Sequence, residues 1–236
     1  MHSATHSTVG PENIVEGLEL VTAPLVEPIK LQEAKDYVRQ DDSTDDELIV
    51  QCIKAARKFC ERQTQKTFIT QTWNMFIDNF PRNNEIPRRE PWWDGTREGP
   101  ISLLNRGTDF IEIPKGPLIS VTEVVTVDEA DVELTFDASN YLVDNKRDFG
   151  RIYLKKSSVW PFVDRPVNGI RIKFISGYGP AGTDIPEDLH KAILYVVAHF
   201  YENRCPLVES RFGLSQLPMT VQDLLTTYKQ MRIGGR

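Results

Sequence analysis

Three glycines in the stretch ISGYGPAGTDIPEDLH, Gly177, Gly179 and Gly182, stand at the spacing G-x-G-x-x-G where a strand-like run passes into a helical one. That motif cradles pyrophosphate when its glycines open the helix, because free backbone N–H groups and the positive dipole end then meet the anion. Here Asp184 is placed as the helix N-cap and Glu187 completes a capping box, so a carboxylate stands where the phosphate would bind. The acidic residue expected about 20 positions further on should end a second parallel strand. The residue found there is Glu202, within the helical pattern. We read the motif as a turn, with a nucleotide-binding enzyme using residues 177–182 as a competing class.

Other chemistry is scarcer. His190 and His199 lie nine residues apart on one predicted helix, about 13 Å of axial rise, whereas a helical zinc pair needs a separation of three or four. His2 and His6 sit in a polar N-terminal stretch. The run DDSTDDE lacks the central glycine and terminal glutamate spacing of a calcium loop and reads as a cap and turn. Neither a G-x-S-x-G elbow nor an H-E-x-x-H pair occurs. Cys52 and Cys60 lie roughly 12 Å apart along a predicted helix, beyond disulfide reach. With Cys205 they read as free thiols of a protein made in a reducing cytosol. The expectation from these residues is no catalytic residue, no metal and no cofactor.

The remaining candidates bind surfaces. Residues 81–108, PRNNEIPRREPWWDGTREGPISLLNRGT, form a connection far longer than a hairpin needs. They hold four prolines and the adjacent pair Trp92 and Trp93 among Arg88, Arg89 and Arg97. Aromatics beside arginines make protein interface hot spots and also stacking platforms for single-stranded nucleic acid. The plain alternative is that both tryptophans fold back over one end of a sheet.

Hydrophobic periods show which elements position these residues. Leu31, Ala34, Tyr37 and Val38 predict a helix over residues 31–39. Leu48, Ile49, Cys52, Ile53, Ala56, Phe59 and Cys60 predict a longer one over 45–65, capped by Ser43 and Thr44, with Asp46 and Glu47 in its first turn and a solvated outer face of acids. The period then falls to two. Trp73, Met75 and Ile77, then Val132, Leu134 and Phe136, then Ile152 and Leu154, then Ile170, Ile172 and Phe174 each mark one face of a strand. With residues 110–113, 120–127 and 141–144, about seven short strands fall between 69 and 175. The turns DEAD (128–131) and NKRDFG (145–150) predict antiparallel hairpins, and no helix-length crossover is present for a parallel sheet.

A third helix is predicted over 186–203 on Leu189, Ile193, Val196, Val197 and Phe200, and a last one over 221–231, capped by Thr220. Residues 1–20 read as an arm, and 20–30, with Pro24 and Pro28, as an extended lead-in. The predicted fold class is α+β. A helical bundle of residues 31–67 with 184–236 carries an inserted antiparallel β module, 68–183, of about six to seven short strands, all preceded by an arm and lead-in, 1–30.

The chain has 236 residues, 40% hydrophobic and 26% charged, with a formal charge of −6 at neutral pH. No global basic field is available for DNA or an anionic membrane. No run approaches the roughly 18 apolar residues of a membrane span. The start, MHSATHSTVGPENIVEG, lacks the basic and apolar regions of a secretory leader, so no membrane partner is expected.

The segment EPIKLQEAKDYVRQDDSTDDELIVQCIKAARKFCERQTQKTFITQTW, residues 27–73, resembles the opening of the head–tail connector, or adaptor, proteins of tailed bacteriophages. Its landmarks are the P-x-x-L-x-E-A-K start, the acidic break, the Ala-Ala-Arg helix and a strand beginning TQTW. ISGYG followed by IPEDLHKAILYVVAHFYENR resembles the second half, and the likeness covers residues 20–80 and 105–230. It implies a head-completion protein without enzymatic activity. Such proteins form a homo-oligomeric, dodecameric ring beneath the portal protein and extend the channel for double-stranded DNA, which passes without sequence-specific binding. They offer a docking surface to the downstream neck or tail protein. The resemblance also implies a place in the virion neck after synthesis in the host cytoplasm. The family's C-terminal segment meets the portal, which points to residues 214–236 and, within them, to Leu224, Leu225, Tyr228, Met231 and Arg232. Another neck component, a stopper or tail terminator, is the alternative. Two departures stand out: Lys30 replaces a small hydroxyl cap, and the insertion 81–108 is longer than the family's.

Overall fold

On α2 (Asp46–Thr64) Ile49, Ile53, Ala56 and Cys60 are buried along one stripe, as the helical period requires. They meet Ala34 of α1 (Leu31–Val38), Leu189, Ile193, Val196 and Val197 of α3 (Glu187–Glu202), and Val221 and Leu225 of α4 (Met219–Tyr228) in one core. The structure, a computed structural model, describes residues 17–80, 110–203 and 219–229. Among these residues no helix is long and apolar enough to cross a membrane.

The described residues form two sheets. The larger has the order β1-β2-β8-β4-β5, built from β1 (Gly17–Thr22), β2 (Gln71–Ile77), β8 (Ile170–Ser176), β4 (Leu118–Val127) and β5 (Glu133–Phe136). The smaller has the order β3-β7-β6, from β3 (Phe110–Glu112), β7 (Arg151–Leu154) and β6 (Tyr141–Asp144). Every ladder is antiparallel, and the two predicted hairpins join β4 to β5 and β6 to β7. Register sets Met75 opposite Ile172 and Ile172 opposite Val124, so one face of the larger sheet is continuous. Met75, Ile77, Ile170, Ile172 and Phe174 lie on that face, wholly buried, in a core shared with Ile111, Ile113 and Ile152. After β1, helices precede and follow the remaining strands along the chain, and the fold is α+β.

The larger sheet has two unlike ends. At one, Gln71 and Leu118 both pair with Ser176, and the chain enters from α2 and leaves toward α3. At the other end β4 finishes at Val127, close to Asp78 and Gly169.

Four expectations need correction. Gly17–Thr22 is a strand, with Leu18 and Leu20 opposite Met75 and Trp73, where the sequence reads as arm and lead-in. Its residues are all exposed, so it carries no burial pattern to read. Second, Ser43 and Thr44 do not cap α2: the N-cap is Asp45, with no side-chain cap bond, and one of its carboxylate oxygens accepts from Tyr201 of α3 at 2.7 Å. Third, Asp184 caps a 3-10 turn, Gly182–Asp184, by accepting from the Ala181 amide at 2.9 Å, while α3 starts after Pro186. Ile185 precedes proline and is held extended, at ψ 139°, which keeps the helix from beginning at Asp184. Fourth, α4 runs Met219–Tyr228, so Thr220 lies within it rather than before it.

Candidate partner-binding surfaces

The glycine motif performs the work of a turn. Gly177 has φ +142°, and a Cβ there would stand 2.8 Å from the Thr70 backbone. A Cβ on Gly179 would strike the Asp184 carboxylate, and one on Gly182 the Pro28 carbonyl. Three of the loop's backbone N–H groups are already committed. Gly177 donates to Pro117 O at 2.9 Å, Tyr178 to Phe68 O at 3.1 Å, and Ala181 to Asp184. The motif brings the end of β8, the start of β2 and the lead-in to α1 into close contact.

Where bundle meets sheet, a buried polar network forms around one acid of α2, Glu61, while Glu47 on the outer side is exposed. Glu61 accepts from Arg57 at 2.8 Å, from the Phe68 amide at 3.0 Å and from Gln71 Nε2 at 3.0 Å. Arg57 also donates to Glu27 at 2.7 Å. Burial pushes the Glu61 carboxyl above the usual carboxylate range, against the pull of Arg57 and the Phe68 amide. Burial pushes Lys115 below the usual lysine range, with the Glu61 charge opposing. Beside them Ser176 donates to the Thr67 hydroxyl at 3.0 Å. The arrangement fastens α2 to β2 and engages both carboxylate oxygens of Glu61. Only the i,i+4 spacing of Arg57 and Glu61 hinted at it.

The histidines are separate, as their spacing requires. His190 stands 3.6 Å from Glu33, and His199 bonds with Asn203. Cys52 and Cys60 are buried. Among the described residues no group of three or more His, Cys, Asp or Glu is placed to hold a metal ion.

Of the surface candidates, Trp92, Trp93, Arg88, Arg89, Arg97, Met231 and Arg232 lie outside the described residues, as does Cys205. Leu225 is buried in the helical core and Leu224 packs partly against it. Tyr228 lies over Lys66, whose Nζ is 5.4 Å from the ring centroid, and its hydroxyl reaches Asp188 at 3.4 Å. In this conformation Leu225 holds α4 to its own bundle, and a partner can meet Leu224 and Tyr228 only at their exposed edges.

The sequence did not single out the apolar side chains that the fold leaves in solvent. Val132 and Leu134 are 60% and 66% exposed beside Phe136, which is half-buried, so the apolar side of β5 is only partly covered. Val159 and Phe162, at 83% and 79%, project from the connection between β7 and β8. The stretch VWPFVDRPV carried a signal in its alternation of apolar residues with prolines, but only packing shows which of them point outward.

No protein-family model matches the chain, and no curated protein matches it. Solved structures do. A chain in the neck of an empty gene transfer agent (GTA) particle, computed with C6 symmetry, superposes with a TM-score of 0.70 at 20% identity, covering 93% of this chain and 98% of that one. Chains in the virion of a native GTA particle, and in the neck of a native GTA particle computed with C12 symmetry, match with TM-scores of 0.68, the same identity and the same coverage. The likeness extends to nearly the whole of both chains and establishes a shared fold.

Proposed function

We propose that the chain is a structural head–tail connector of a tailed bacteriophage or related particle, without enzymatic activity. It forms a ring beneath the portal that extends the DNA channel and receives the next component of the neck. The observation that carries this reading is the near-complete fold match to chains from particle necks, which were computed with cyclic symmetry. The residue-level resemblance over 27–73 and the second half supports it independently.

A connector acts by geometry. One heterologous interface, repeated by rotation, closes into a ring, and twelve copies is the number expected here. The formal charge of −6 suits a channel along which DNA slides, since a basic wall would grip phosphate in a salt-dependent way. The portal-facing candidates are the C-terminal residues, with Leu224, Tyr228, Met231 and Arg232 among them. Trp92 and Trp93 are proposed as partner anchors. Replacing both by alanine should leave the monomer folded while weakening ring or partner binding by about 2 kcal/mol or more.

The direct test is negative-stain imaging of the full-length protein mixed with the portal of its particle. A ring on the portal's outer end is the expected result. Rings that assemble but ignore the portal would favour a stopper or tail terminator. A nucleotide-dependent turnover lost on Gly179 substitution would overturn the structural reading altogether.

A further inference from the structure

The outer side of α2 carries an exposed acid only at its start. Glu47 stands in the first turn, and beyond it Lys54, Lys58 and Arg62 follow at four-residue intervals, all exposed. Four residues are about 6 Å of helix, so the three cations form a row about 12 Å long. The nearest carboxylates are engaged elsewhere. Asp46 pairs with Lys35 at 2.7 Å, and Glu27 and Glu61 both pair with Arg57. Among the described residues no carboxylate forms an ion pair with Lys54, Lys58 or Arg62. Arg62 instead lies over the Phe59 ring, its guanidinium carbon 5.9 Å from the centroid, which steadies the cation without neutralising it. The row is held in line because the opposite side of the helix, from Ile49 to Cys60, is packed into the helical core.

The surroundings of the row select its ligand. Gln51, Ala55 and Gln65 share the exposed side, and no large apolar side chain of α2 is exposed. A protein interface has an apolar centre and is poor in lysine, and a helix lying on a membrane needs an apolar face. A single strand needs aromatic rings on which to stack, whereas Phe59 is half-buried under Arg62. A duplex needs none of these. It presents one negative charge about every 1.7 Å along its axis, so a row of cations meets phosphate in any register and on any sequence. We propose that the outer side of α2 is a contact site for the phosphate backbone of double-stranded DNA, with Lys54, Lys58 and Arg62 as its cations. The inference rests on the connector reading for its setting and deepens it by naming the helix that faces the duplex. Three cations on a chain of formal charge −6 make a weak contact, which touches a passing duplex without holding it fast.

The test is fluorescence anisotropy of short labelled duplexes of two unrelated sequences, titrated with the full-length protein from low salt upward. Both sequences should bind equally. The logarithm of the binding constant should fall with the logarithm of salt concentration at about −0.9 for each cation, or about −2.7 for each subunit in contact. The triple variant Lys54→Gln, Lys58→Gln and Arg62→Gln should bind at least about tenfold more weakly at low salt and lose most of that slope. Lys54→Arg with Lys58→Arg keeps the charge and should retain binding. A second triple variant, Lys146→Gln, Lys156→Gln and Lys229→Gln, removes three exposed cations elsewhere and should bind as wild type does. Wild-type protein that ignores the duplex at low salt would overturn the proposal. Equal weakening by both triple variants would also overturn it, because the net charge and not the row would then set the affinity. So would unchanged duplex binding by an α2 variant that no longer forms rings, which would assign the row to an acidic surface of a second copy. The measurement needs neither ring nor portal. Its failure beside rings seen on the portal would leave the connector reading standing, and the reverse pair of results would defeat that reading alone.

Discussion

Glu61 commits both carboxylate oxygens at the junction of bundle and sheet, one to Arg57 and the other to the Phe68 amide and Gln71. Glu61→Ala leaves a buried guanidinium and a buried amide each short of a partner, and should lower unfolding free energy by about 3 kcal/mol, read as a shifted denaturant midpoint. Glu27→Ala should cost less, because that carboxylate is the more solvated partner of Arg57. The pH dependence has a definite sign. The folded pKa of Glu61 is raised, so the folded state holds this proton more tightly than the unfolded chain does. Its contribution is therefore fully present below the unfolded carboxyl value of about 4.3 and declines as pH rises through the raised folded value. The stability advantage of wild type over Glu61→Gln should shrink across that interval, which thermal melts in a pH series would show. Next along the helix, burial and the Glu61 charge push the Cys60 thiol up to about 12. Since the thiolate is the reactive form, iodoacetamide at mildly alkaline pH should leave Cys60 unmodified in peptide maps until denaturant is added.

At the scale of elements, the helix starts are weakly capped and the glycine turn is tightly constrained. Lys30 occupies the N-cap of α1 in an extended conformation, φ −76° and ψ 146°, without a side-chain bond, and Glu33 stands three residues on. Lys30→Ser supplies the hydroxyl half of a capping box, and should raise stability by about 0.5–1 kcal/mol, measurable as an increased Tm. Gly177→Ala should act oppositely. At φ +142° an L-residue is strained, and its methyl would press on the Thr70 backbone, so a loss of about 1–3 kcal/mol is expected. A Gly177→Ala protein as stable as wild type would show that the turn relaxes.

For the whole molecule, the two apolar cores are distinct, one helical and one between the sheets. The chain crosses between them after α2 and again after β8, and the Glu61 network and the Ser176–Thr67 bond lie at those crossings. Bundle and sheets should therefore unfold together. In a background with Trp92→Phe and Trp93→Phe, the fluorescence of Trp73 and Trp160 and the helical circular dichroism should fall at one denaturant concentration. Glu61→Ala should separate the two curves if this junction is what couples them.

Element types were legible because helix and strand periods are properties of neighbouring residues. Ile49, Ile53 and Ala56 point inward on any amphipathic helix, and Ile170, Ile172 and Phe174 share a face on any strand. The antiparallel hairpins were legible for the same reason, since their turns lie between the strands they join. Tertiary packing decided the rest. The cap carboxylate of Asp45 is drawn to Tyr201, 156 residues away, and Thr67 is paired with Ser176 across 109 residues. No local pattern announced that the sheet would close over Glu61, and the alternation that puts Leu134 on one face of its strand did not show that this side chain stays in solvent. Periodicity determines which side of an element is apolar, but only the arrival of a distant element determines whether that side is covered.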